Sequence, residues 1–170
     1  MADKEELSGL EGWLILVGIG VVFTPIRLFL GAWMLYPPIF KDGTWEALTT
    51  AGSDAYHPLW ASLLIGEIAF NVVMLAVSIY MVYLFFSKHH LFPKLFIAVV
   101  SISLAFIPLD SWMVESIYPT EGVFDPATTK EFVRTLVVAL IWVPYMLVSK
   151  RVKATFVKNA PSAEEISESH

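Results

Sequence analysis

Four apolar blocks, each parted from the next by polar stretches containing Pro and Gly, dominate the chain. They cover about 13–35, 59–86, 92–114 and 132–148. Crossing the ~30 Å hydrocarbon core of a bilayer at 1.5 Å per residue takes ~20 helical residues. Each block is near or above that length, the fourth only when its polar first turn is counted. None alternates with period two over short segments, so the strands of an outer-membrane barrel are not expected. The pattern predicts an all-α chain, a four-helix transmembrane bundle.

Helix-start signals agree with these blocks. Ser8 and Glu11 have the spacing of a capping box just before the first block. Asp125 followed by Pro126 fits an N-cap with proline at the first helical position. Pro25, Pro108 and Pro144 fall inside blocks, where neighbouring helices and hydroxyl side chains can take up the freed carbonyls, so bends are expected there and not breaks. A single membrane domain over 1–158 follows, with a tail over 159–170 of disordered composition.

The distribution of basic residues gives the orientation. Lys4, Lys88, Lys94, Lys150, Arg151, Lys153 and Lys158 fall on one side of this topology, against only Lys41 and Lys130 on the other. By the positive-inside rule both termini and the 87–93 loop are expected in the cytoplasm. The 36–58 and 115–130 connections then face outward. Trp13, Trp33, Tyr36, Tyr56, Trp60, Tyr83 and Tyr118 all sit near the expected interfaces, as amphipathic rings do.

Composition supports the same class. The chain has 170 residues, 56% hydrophobic and 16% charged, with mean hydropathy +0.66. A soluble domain carries about 25% charged residues. The formal net charge of −5 says little about partners, because the only basic cluster is short and lies against a membrane helix. Nucleic acid is therefore not expected. The absence of cysteine excludes disulfides, thiolate catalysis, Cys-based zinc sites and covalent c-type haem attachment. The acidic start and the long apolar run after it, with no small-residue cleavage site, read as an uncleaved first membrane helix.

The most informative residues are the ionisable ones inside the blocks: Arg27, Glu67, Asp110 and Arg134, one in each. Counted inward from the outer ends, all four lie roughly 8–14 Å deep. A lone charge at the middle of a membrane helix costs roughly 2.5–3.5 kcal/mol on insertion scales. Two Arg and two carboxylates at one level would offset much of that, so an Arg27–Glu67–Asp110–Arg134 network in the outer half is expected, with Glu115 able to join from the rim. Asn71 and Ser78 continue the Glu67 face, and Thr24 and Gly20 share a face with Arg27. Ser62/Gly66 and Ser101/Ala105 are small-residue pairs that let backbones approach. Two readings of the cluster stand. It is either a water-accessible pocket for an ion, proton or small polar ligand, or interhelical glue that fixes register.

The remaining candidates point to structure. His89 and His90 lack further metal ligands and fit a solvated loop. No block contains a histidine for bis-His haem ligation. His57, beside Pro58, fits an interfacial or capping position, and no nucleophile elbow accompanies it. Gly18 and Gly20 read as packing positions. The stretch from Thr44 to Thr50 predicts one or two helical turns on the outer surface, a simple interfacial loop in preference to a lid. The basic 149–158 segment is expected to extend the fourth helix into the cytoplasm, as a stop-transfer anchor against anionic headgroups.

Two strings carry a family resemblance: the opening Gly9-Leu-Glu-Gly-Trp-Leu-Ile-Leu-Val-Gly, with Pro25 further on, and the closing Trp142-x-Pro-Tyr145 followed by Ser149-Lys-Arg-Val-Lys-Ala-Thr-Phe-Val. In these the chain resembles the YdgK-like family of small bacterial inner-membrane proteins, a domain of unknown function. Glu11 stands where that family commonly has a small residue. The resemblance implies a bacterial inner membrane and four helices, and brings no activity or catalytic residues. Residues and resemblance together give a multi-pass, non-enzymatic accessory or assembly partner. The alternative is a carrier for an ion or small polar ligand using Arg27, Glu67, Asn71, Asp110 and Arg134. No cofactor, metal or catalytic residue is expected; the partners are the bilayer and either another membrane protein or a second copy.

Overall fold

Long uninterrupted apolar runs must satisfy every backbone group within the segment, and a helix does this with local hydrogen bonds alone. In the structure, a computed structural model describing residues 9–117, 119 and 124–157, the four blocks form α1 (Trp13–Lys41), α3 (Trp60–Phe86), α4 (Phe92–Ile117) and α5 (Pro126–Val148). Two six-residue helices complete the described residues, α2 (Thr44–Thr49) after α1 and α6 (Lys150–Thr155) after α5. Among the described residues there is no strand. The four long helices form a bundle, each long and apolar enough to span a membrane. The expected tail at 159–170 and the capping residue Ser8 lie outside the described residues.

Local chemistry sets the helix ends, with three departures from expectation. First, α1 starts at an N-cap Gly12 with φ of 58°, which a residue without Cβ adopts readily. Glu11 instead forms an ion pair with Arg151 at 3.5 Å. Second, α1 runs six residues past 35, through Pro37 and Pro38, to Lys41. Proline pre-sets helical φ, and the N–H groups it removes leave the Trp33 and Met34 carbonyls without their i+4 donors in the last turns of α1. Third, the 149–158 segment does not extend α5. Ser149 takes extended backbone (ψ 123°), its Oγ accepts the Val152 N–H at 3.4 Å, and α6 turns back on the bundle. Asp125 caps α5 as expected, its Oδ1 accepting the Thr128 N–H at 2.8 Å with Pro126 in the first turn. Pro25, Pro108 and Pro144 are all carried inside continuous helices.

The buried core lies at one end of the bundle. Leu14, Val17, Val21, Met81, Leu84, Phe85, Phe92, Phe96, Val100 and Met146 pack there with Val152 and Phe156 of the α6 segment. The Phe156 ring stacks on Phe92 with centroids 4.7 Å apart, and Phe85 meets Phe92 edge-on at 5.1 Å. Thr155 Oγ1 accepts the Gly9 N–H at 3.1 Å and donates to the Gly9 carbonyl at 3.2 Å, so both ends of the described chain meet here. This closed end owes its tightness partly to Gly18, where an added Cβ would stand 2.8 Å from the Phe85 ring.

The opposite end is looser. Helices α1 with α3 and α4 with α5 pack most extensively, and α3 with α4 next, while α1 and α5 hardly meet. A cleft of about 690 Å³ remains between α1 and α5. The small pairs Ser62/Gly66 and Ser101/Ala105 do not sit in close helix contacts within the chain. Ser62, Gly66, Ser101 and Ala105 are all exposed, and a Cβ on Gly66 would meet nothing within 4 Å.

Candidate functional site

Helix α5 begins at Pro126, a full turn before the apolar block at 132, so Glu131 belongs to its second turn and stands one turn from Arg134. Both arginines converge on this carboxylate. Arg27 donates to Glu131 Oε1 through both terminal nitrogens at 3.2 Å, across from α1. Arg134 Nη1 lies 3.6 Å from Glu131 Oε2, an ion pair too long for a hydrogen bond. The side chains of Arg27, Arg134 and Glu131 are 49%, 54% and 42% exposed. Arg27 and Arg134 line the α1–α5 cleft.

The two carboxylates named by the sequence sit elsewhere, on the α3–α4 side. Tyr36 donates to Glu67 Oε1 at 3.2 Å. Asn71 Nδ2 donates to the Tyr36 hydroxyl at 2.8 Å and to the Glu67 carbonyl at 3.0 Å. Asp110 is the charged neighbour of Glu67 across the helix pair. About one turn toward the closed end from Glu67 and Asp110, Phe70 and Phe106 stack with centroids 3.6 Å apart.

The expected pairing of Arg27 and Arg134 with Glu67 and Asp110 is therefore not formed. Among the described residues neither Glu67 nor Asp110 makes an ion pair, and Glu131 is the carboxylate that both arginines share. The physical reason is proximity: Glu131 is an i,i+3 neighbour of Arg134 on the face α5 turns toward α1, whereas Glu67 and Asp110 point into a different helix pair. Asn71 is brought to Glu67 as the helical spacing implies. Two residues of these polar groups, Glu131 and Tyr36, are not singled out by the sequence pattern. Glu131 falls between the 115–130 connection and the block that starts at 132, although its spacing from Arg134 is a usable signal. Tyr36 carried only the signal of an interfacial aromatic. Glu115 makes no ion pair among the described residues.

Each arginine presents five donors in a fixed planar fork and stays protonated. Two guanidinium groups sharing one carboxylate leave a formal charge of +1 beside an open apolar space. Such an arrangement can hold an anion. Below the arginines, toward the closed end, the cleft wall is formed by Leu16, Val17, Val21, Phe96, Val138 and Trp142. Trp142 also meets Trp13 edge-on at 6.2 Å. Gly20 lines the same wall, and an added Cβ there would meet nothing within 4 Å.

The other candidates have local roles. His57 Nδ1 accepts the Leu59 N–H at 3.3 Å, an end-capping contact for α3. His89 Nδ1 accepts the Leu91 N–H at 3.2 Å and its ring stacks on His90. No group of three His, Asp or Glu among the described residues could hold a metal ion. The turns expected after Thr44 exist as α2, which packs on α1 and α3.

Residues 7–157 match the family described as Protein of unknown function (DUF2569). That covers nearly the whole chain and agrees with the domain of unknown function expected from the two strings, while the YdgK-like name rests on the resemblance alone. No curated protein and no solved structure matches the chain.

Proposed function

The chain belongs to the DUF2569 family, whose description states no activity, and from its geometry we propose that it is a non-enzymatic membrane protein that works by binding at the α1–α5 cleft. One observation carries this reading: two half-exposed arginines share one carboxylate beside an apolar cleft of about 690 Å³. Such a volume is in the range of small-molecule sites, about 300–1,000 Å³. A charge left to hydrocarbon is costly, so an intramembrane triad that is neither sealed nor neutral calls for something to cover it. In this reading the protein lies in a bacterial inner membrane with both termini in the cytoplasm. The excess of Lys and Arg on the side of the termini and the 87–93 loop supports that orientation, and the cleft then opens in the outer half.

A second reading, an accessory or assembly partner, has its own support. Ser62, Gly66, Ser101 and Ala105 are exposed small residues in apolar helices, the composition at which membrane helices associate with a neighbour or a second copy. Photocrosslinking decides between them. A benzophenone amino acid at Val138, which lines the cleft, should give one discrete small adduct in native membranes. The same group at Leu140, exposed on the same helix, should give only diffuse lipid labelling. A discrete protein adduct at Val138 would transfer the site to the second reading, and equal diffuse labelling at both positions would sink the cleft reading.

A further inference from the structure

The shape and charge of the cleft narrow what it takes. We propose that it holds one anionic lipid of the surrounding bilayer, its headgroup on Arg27 and Arg134 and its acyl chain along the apolar wall below. This rests on the binding reading above and adds the ligand class.

Charge is the first argument. Arg27 spends two donors on one Glu131 oxygen, and Arg134 makes only a 3.6 Å ion pair. Among the described residues no second acid pairs with either guanidinium. One monoanionic group would bring the site to neutrality and take up the remaining forks, which suit phosphate oxygens. Length is the second. From Arg27 to Leu16 the α1 wall descends about 16 Å, and from Arg134 to Trp142 the α5 wall descends about 12 Å. The apolar lane is long enough for one acyl chain hanging from an anion held by the arginines within the membrane, and a free inorganic anion would leave it unused. Access is the third. Because α1 and α5 hardly pack, the cleft lies open between two helices and a lipid enters from the side. Gly20 keeps that lane unobstructed.

The test uses the full chain, delipidated in mild detergent and titrated with phosphatidylglycerol, phosphatidylcholine or inorganic phosphate. Native mass spectrometry reads bound lipid and thermal unfolding reads stabilisation. Phosphatidylglycerol should bind one per chain, in preference to phosphatidylcholine. Arg27→Gln and Arg134→Gln should each weaken it about fivefold, the size expected for one basic residue facing an anionic lipid. Glu131→Gln should retain or tighten binding, because it removes the competing acid. Gly20→Leu should block the lipid while leaving all three charges in place, which keeps the proposal testable if the arginine variants do not fold. Equal binding of the two lipids, loss of binding in Glu131→Gln matching the arginine variants, or full stabilisation by inorganic phosphate alone would each overturn the assignment. A discrete Val138 adduct without charge preference would end this proposal and leave the binding reading intact.

Discussion

At the scale of single residues, two glycines of the same helix turn have opposite duties. Gly18 lets the Phe85 ring approach so closely that a Cβ would sit 2.8 Å from it, and Phe85 is buried among other rings. Gly18→Ala should therefore lower stability by roughly 1–3 kcal/mol, the usual cost of overpacking. Gly20→Ala builds into open space and should leave the thermal unfolding midpoint in detergent unchanged or raised. The two midpoints together check the placement of the cleft. Asp125 supports a pH prediction. The hydrogen bond from the Thr128 N–H holds its carboxyl below the usual range. A lowered folded value stabilises the start of α5 above the unfolded carboxyl value of about 3.9, and the effect is lost as pH falls through the folded one. The protection factor of the Thr128 amide, its exchange rate relative to the intrinsic rate at each pH, should be flat from neutral pH down to the usual carboxylate range and fall below it; Asp125→Asn should abolish that dependence. The charges themselves were legible as positions, whereas their partners were not. Pairing follows from side-chain direction across a helix pair, and the sequence supplies only depth and periodicity.

At the scale of elements, α6 is the instructive case. Its Lys150, Arg151 and Lys153 read as an anchor, yet Val152, Thr155 and Phe156 turn inward and close the bundle beneath Phe85 and Phe92. A helical spacing of three and four between those inward residues was visible in the chain, and the run of cations masked it. Phe156→Ala removes a fully packed ring and should cost about 3–5 kcal/mol in unfolding measured in detergent. It should also speed amide exchange at Gly9 and Leu10, since α6 is what holds them. A protein that unfolds like the parent would show that α6 merely rests on the surface. The two ends of α1 were misread for a related reason. Capping patterns and prolines are statements about backbone groups, and they do not show that Glu11 pairs with the distant Arg151 or that α1 carries Pro37 and Pro38 inside it.

For the whole molecule, the four spans were legible because span length and apolarity are set by the bilayer and need no tertiary information. Which spans become neighbours was not. The cleft exists because α1 and α5 fail to pack, and nothing in either helix alone announces that. The proposed orientation has a direct check, helped by the lack of cysteine in the chain. A cysteine at Ser53, in the connection after α2, should react with a membrane-impermeant maleimide on intact cells. One at Ser87, between α3 and α4, should react only after permeabilisation. The reverse pattern would invert the topology and move the cleft to the inner leaflet.

The hydroxyl of Thr155 grips the main chain of Gly9 from both sides, giving and receiving a hydrogen bond. Beginning and finish of the described polypeptide are thus tied at a single spot, and whatever is attached to them emerges from neighbouring doorways. Two halves of a split fluorescent reporter, one fused to each terminus, should reassemble within one molecule at any dilution, and cutting the tie with Thr155→Val should dim that signal first.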